Sequence, residues 1–139
     1  MDSGHVARTA SARQWFATLP DAFAALWAQV PATSFDDRTA VELAVTEIAG
    51  NVLRHTADPD TVTVRAELTA DAREVRVVLE DTAPGVPLDL DRPMPGPDAE
   101  SGRGLAIVRA CVDVVEHHAG PAGSRWVLSR RPGGPPATT

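Results

Sequence analysis

Three short stretches of the chain carry residue types whose spacing can do chemistry. In Glu47-Ile-Ala-Gly-Asn51 a carboxylate and an amide stand four residues apart, which on a helix is one turn apart on the same side. A carboxylate can accept a proton or orient a nucleophile, and an amide oxygen is a hard ligand of the kind Mg²⁺ takes. Arg54 lies one turn further on, placed to meet a phosphate. By themselves these residues also describe an ordinary solvated helix face. In Val77-Val-Leu-Glu-Asp81-Thr-Ala-Pro-Gly85 an apolar strand runs into an aspartate and then a tight turn. A strand-end carboxylate can accept a hydrogen bond from an exocyclic amine, as in adenine recognition, and Gly85 permits positive φ or close backbone approach. The plainer reading is that Asp81 merely starts a turn. In Ser101-Gly102-Arg103-Gly104-Leu105-Ala106-Ile107-Val108 a glycine-rich turn opens an apolar helix. Free N–H groups and positive potential at a helix start suit phosphate, and Arg103 adds a cation. The alternative is a flexible loop before a core helix. The three occur in order, and their roles add up to metal, adenine and phosphate, which unrelated turns and solvated faces would rarely supply together.

These groups need elements to hold them. Residues 1–10 are small and polar and read as a frayed terminus. Trp15, Phe16, Leu19, Phe23, Leu26, Trp27 and Val30 recur at helical spacing around Pro20. They predict an irregular or strand-like entry and then a helix over about 20–30, ended by Pro31. Ser34, Asp36 and Asp37 are helix-start residues, and a long helix is expected over 37–56, with Val41, Val45, Ile48 and Val52 as its core stripe. Two strands follow at 61–68 and 73–80, joined by a hairpin turn at 69–72. Residues 82–103 hold much Gly and Pro without periodicity, a long loop of the kind that is usually functional. A helix over about 104–112 and strands over 113–118 and 124–130 complete the series, with a disordered tail at 132–139. Leu105, Val108 and Val112 are the expected inward face of that helix, and Cys111 reads as a small core-side hydrophobe. The order suits an α/β two-layer sandwich, with one helical layer on a mixed or mostly antiparallel sheet.

Composition removes other classes. The chain has 139 residues, enough for one compact domain. A net charge of −6, with thirteen scattered basic residues, argues against a nucleic-acid or anionic-membrane surface. One cysteine excludes an internal disulfide and a thiolate zinc site. There is no signal-peptide-like run and no apolar stretch of spanning length, which leads us to expect a cytoplasmic protein.

The three stretches resemble the motifs of the histidine-kinase-like (GHKL) ATPase superfamily. Glu47-xxx-Asn51-xxx-His55-Thr56 resembles its N box, Asp81-Thr-Ala-Pro-Gly85 its G1 box, and Gly102-Arg-Gly-Leu-xx-Val108 its G2 box. Gly123-Ser124 with Val127-Leu128 is similar to its last strand. Among such proteins the short chain resembles the anti-sigma factor serine/threonine-protein kinases of bacteria. The resemblance implies a Bergerat-type fold over about 13–131, after a disordered 1–12, with an ATP lid at about 86–101. It implies ATP and Mg²⁺ as cofactors, Asn51 as metal ligand and Glu47 as general base toward a partner's hydroxyl. Asp81 would read adenine. Arg54, Ala83, Gly85, Gly102, Arg103, Gly104, Leu105 and Ser124 would contact the nucleotide. The implied partners are a sigma factor and a STAS-type antagonist, with a possible homodimer. Ala83 stands where the G1 box usually has glycine, and a positive φ there would strain alanine. A non-catalytic interaction module and the catalytic domain of a two-component histidine kinase are the alternative functions. For the latter, none of His5, His55, His117 and His118 sits in a phosphoacceptor-like helical hairpin.

Overall fold

The alternating apolar segments pair into a single sheet, and every periodic apolar stripe folds onto one face of it. The computed structural model describes residues 2–54, 56, 58–83 and 100–133, and of 100–103 the backbone alone. In chain order the elements are β1 (Gly4–Ser11), α1 (Ala12–Ala17), α2 (Leu19–Gln29), α3 (Phe35–Arg54), β2 (Thr63–Ala70), β3 (Val75–Asp81), α4 (Glu100–Cys111), β4 (Val114–Gly120) and β5 (Gly123–Arg130). The strands form one five-stranded sheet, ordered β1-β2-β3-β5-β4, and all four pairings are antiparallel. The expected α/β two-layer architecture is what the chain adopts.

The pleat sorts the side chains. Val64, Ala66, Leu68, Val75, Val77 and Leu79 are buried on the helix-covered face, while their neighbours Thr63, Arg65, Glu67, Arg76 and Glu80 are exposed on the other. Helix α3 lays Val41, Ala44, Val45 and Ile48 onto this floor. Leu26, Ile48 and Leu68 are fully enclosed, and burial of each such side chain contributes about 1.5–3 kcal/mol. Phe23 and Trp27 of α2 stack at 6.1 Å with ring planes 7° apart. The Trp27 indole N–H donates to Glu42 of α3 at 3.2 Å, so α2 is tied to α3 by packing and by a polar contact.

Four expectations need correction. The N-terminal segment is not frayed: β1 pairs with β2 from Gly4↔Ala70 to Ser11↔Thr63. Its small polar residues carry little apolar signal, and its order comes from the ladder it joins. The irregular entry is instead helix α1, because Ser11 accepts the Gln14 N–H as an N-cap. Helix α4 begins at Glu100 rather than at Gly104. The hairpin turn also lies two residues later than expected, where the Asp71 carboxylate accepts the N–H groups of Arg73 and Glu74. Of the expected tail, 134–139 lies outside the described residues.

The start of α3 is held by more than a cap. Ser34 Oγ accepts the Asp37 N–H at 3.1 Å and donates to Asp37 Oδ2 at 2.8 Å. Asp37 Oδ1 also accepts from Arg130 Nε at 2.9 Å, and the Gly133 N–H reaches the same carboxylate at 3.1 Å. Arg130 Nη1 donates to the Cys111 carbonyl at 2.8 Å. Asp37 and Arg130 are both almost fully buried. Burial disfavours the charged form of Asp37, but the Ser34, Arg130 and Gly133 hydrogen bonds and the Arg130 charge outweigh it. They hold the carboxyl below its ordinary range. One buried ion pair therefore joins the start of α3, the end of α4 and the end of β5.

Candidate functional site

Distances along the elements place the chemical groups. From Arg130, Ser124 lies six residues back along β5, roughly 20 Å at strand rise. From Asp37, Asn51 lies fourteen residues along α3, roughly 21 Å at helical rise. Asn51 and the Asp81–Ser124 pair thus each lie roughly 20 Å from the Arg130 anchor along their own elements. Helix α4 runs from beside Glu47 at Gly104 to that anchor at Cys111.

Asp81 closes β3 opposite Ser124 of β5 and is 9 % exposed. Its Oδ2 accepts from the Ser124 hydroxyl, and its Oδ1 accepts the Ala83 N–H at 2.9 Å. Both oxygens are thus oriented by donors, as a carboxylate must be to present one lone pair to an incoming amine. Ala83 follows the strand in this Asp-anchored turn, and no non-glycine residue among those described has positive φ. Alanine there carries no left-handed strain. Gly123 takes φ +137°, and a Cβ on it would lie 2.0 Å from the Asp81 carbonyl oxygen. The close passage of β5 beneath the end of β3 requires glycine at that position. From sequence Gly123 offers a turn signal and a place in the last-strand resemblance, but its role beside Asp81 is not legible there.

Glu47 is half-buried on the flank of α3. A Cβ on Gly104 would lie 3.0 Å from its Oε2. The glycine of α4 thus makes room for the carboxylate, and Glu47 sits against the early part of that helix. With α4 starting at Glu100, Gly102 and Gly104 lie within its first turns rather than ahead of it. The free N–H groups belong to the first four residues of the helix, from Glu100 onward. Leu105 is half-buried on the same helix and packs on the core. The side chain of Arg103, together with Gly85, His55 and the expected lid up to residue 99, lies outside what the structure describes.

Asn51 is half-buried one turn beyond Glu47, and its Oδ1 accepts from Arg54 Nη2 at 2.7 Å. Asn51 and Glu47 offer hard oxygen donors, a donor set that fits Mg²⁺. His117 faces the helical layer beside Trp126, with ring centroids 4.1 Å apart. It is half-buried. Burial lowers its pKa, with the Asp81 charge opposing and His118 adding to the fall. Cys111 is fully enclosed, as its expected core role requires, and burial pushes its thiol pKa up.

The sequence matches the model of the histidine kinase-like ATPase domain over residues 7–129. The chain belongs to that family, whose fold holds ATP. No curated protein matches. Among solved structures, the chain is similar to the histidine kinase domain of a blue-light-activated histidine kinase from Erythrobacter litoralis, with 25% identity and a TM-score of 0.53, over 68% of this chain and 44% of that one. It is also similar in fold to the RsbU and RsbW domains of a Mycobacterium tuberculosis protein, with 20% identity and a TM-score of 0.59, over 97% of this chain and 34% of that one. The chain thus spans less than half the length of either structure. Among the described residues, no helix is long and apolar enough to cross a membrane.

Proposed function

We propose that this domain binds Mg-ATP and transfers the γ-phosphoryl group to a serine or threonine hydroxyl on a partner protein. The observation that carries the reading is the Glu47 carboxylate, seated against Gly104 near the N-terminal end of α4. That arrangement sets a base beside a phosphate-binding helix start. Asp81, oriented by Ser124 and Ala83, accepts the adenine amine. The N–H groups at the start of α4 and the guanidinium of Arg54 take the phosphates. Glu47 removes the hydroxyl proton as the hydroxyl oxygen bonds to the γ-phosphorus. The bond to the β–γ bridging oxygen breaks and ADP leaves. Asn51 would hold Mg²⁺, which supplies neutralisation of the phosphate charge.

The likeness in fold to a structure that holds an RsbW domain, together with the motif resemblance, supports an anti-sigma factor. Such a protein sequesters a sigma factor and phosphorylates a STAS-type antagonist. Position near the phosphates gives Glu47 a use that a pure binding module would not need, and Ala83 carries no strain against ATP binding. A histidine kinase role is favoured only by the likeness to a histidine kinase domain. His5, His117 and His118 lie on strands, not on a helical hairpin.

Calorimetry with ATP, with and without Mg²⁺, should show Mg²⁺-assisted binding in the range of about 1 μM–1 mM usual for substrate sites. A pull-down from a bacterial cytoplasm, followed by phosphotransfer with [γ-³²P]ATP, should label an acid-stable serine or threonine on the captured STAS-like protein. Glu47→Ala should keep ATP binding and lose that label. Absence of ATP binding at millimolar concentration would overturn the proposal, and label on a histidine would overturn the choice of acceptor.

A further inference from the structure

We propose that Arg54 is a latch on the metal-ligating oxygen of Asn51, one that the nucleotide's phosphates must draw away before the cation can be held. The inference rests on reading Asn51 as the ligand, and adds how the site keeps cations out before nucleotide arrives. Arg54 Nη2 donates to Asn51 Oδ1 at 2.7 Å. That oxygen is the only atom of the side chain that can ligate a cation, since the amide nitrogen is a donor. The oxygen has two lone pairs, but a guanidinium and a divalent cation on one atom would repel at a few ångströms.

A second feature makes room for this pose. A Cβ at Gly50 would lie 3.2 Å from Arg54 Nη1 and 3.8 Å from its Cζ and Nη2. The guanidinium therefore lies back over bare helix backbone, in space that any larger residue would take. A long side chain in an exposed position can extend into solvent, yet here it folds toward the preceding turn and onto Asn51. Glycine is a poor helix residue, so its presence at position 50 of a twenty-residue helix has a use in this contact.

The latch couples the two ligands. Phosphates offer Arg54 a bidentate, doubly charged partner that outcompetes one neutral amide oxygen. When the guanidinium moves to them, Oδ1 is released and the local charge turns from repelling a cation to attracting it. Nucleotide and cation then favour each other by equal factors. A side chain thus sets the order of assembly.

The test is a Mn²⁺ titration of the nucleotide-free protein, read by the EPR signal of free Mn²⁺, on wild type, Arg54→Met, Gly50→Ala and Asn51→Ala. Arg54→Met should bind Mn²⁺ more tightly by on the order of fivefold, the worth of one such hydrogen bond. Gly50→Ala keeps the charge but presses Nη1 outward by a few tenths of an ångström, and should gain about twofold by losing part of that bond, with ATP affinity retained and thermal unfolding no earlier than wild type. A gain in Arg54→Met with none in Gly50→Ala would mean simple charge removal and would overturn the latch. Indistinguishable Mn²⁺ affinities in all four proteins would overturn it as well. Separately, Mg²⁺-assisted ATP binding that is unchanged in Asn51→Ala would show that the ligand reading itself had failed, and the latch with it.

Discussion

A methyl group on Gly104 would stand 3.0 Å from Oε2 of Glu47 and 4.0 Å from its Cδ. The contact is tighter than van der Waals distance by a few tenths of an ångström, and the atom it presses is the free end of a flexible side chain. Rotating that end off its preferred torsions costs on the order of 1 kcal/mol. Alanine inside a helix is favoured over glycine by about 0.5–1 kcal/mol. The two nearly cancel, so Gly104→Ala should shift Tm by no more than about 4 °C. Activity should respond differently. A positioned general base supplies about 10²–10⁴-fold, and a misplacement approaching 1 Å costs about 10², so the smaller shift here should cost on the order of tenfold. The assays are thermal unfolding by circular dichroism, calorimetry with Mg-ATP, and single-turnover phosphotransfer at saturating nucleotide. Saturation removes any loss of affinity from the rate. The double variant with Glu47→Ala isolates the interaction, because Gly104→Ala should add nothing once the carboxylate is gone. A folded Gly104→Ala protein with wild-type turnover would refute the placement of the base. An equal further loss on the Glu47→Ala background would refute the route through Glu47.

Arg130→Met should destabilise by about 3–5 kcal/mol by leaving Asp37 buried without its counter-charge; chemical denaturation measures this, and a loss near zero would show the pair to be solvated. Asp37 also has a pH signature. Its folded pKa lies below the unfolded value, so its stabilisation is complete above the ordinary carboxylate range and disappears as pH falls through the folded pKa. Urea midpoints should therefore fall below about pH 4 in wild type and less steeply in Asp37→Asn. Gly123→Ala should cost at least about 2 kcal/mol from backbone strain and overlap, and should weaken ATP binding by moving Asp81, so unchanged affinity in a folded variant would separate the two. Cys111, enclosed and with its thiol pushed up by burial, should resist a disulfide reagent in the native state and react on unfolding; fast native labelling would contradict its burial.

What could be read from the sequence depended on whether a feature is local. The α3 stripe of Val41, Val45 and Ile48 recurs at helical period, and those residues are buried as expected. Strand β2 alternates strictly and β3 does so apart from Val78, and both are legible to within two residues. Strand β1 was not, because Ala7, Thr9 and Ala10 have no pattern until β2 lies beside them. The start of α4 was misplaced because glycines read as helix breakers, whereas Gly104 lies inside the helix to clear Glu47. The Asp37–Arg130 pair joins residues 93 apart, and no short-range rule points from one to the other. Each candidate side chain could be named from its motif. The bonds that aim it, such as Ser124 to Asp81 and Arg54 to Asn51, needed the fold.

The buried ion pair also decides how the domain can move. It pins α3 and α4 to β5, while Glu47 and Gly104 meet further along the two helices. The helices therefore behave as the two arms of a pair of tongs with Arg130 as pivot. A tilt of about 3° over the roughly 21 Å from pivot to Asn51 opens the jaws by about 1 Å at helical rise. That travel is enough to disengage a reacting group. This enclosed contact would thus act on the proposed turnover from a distance, as a fulcrum.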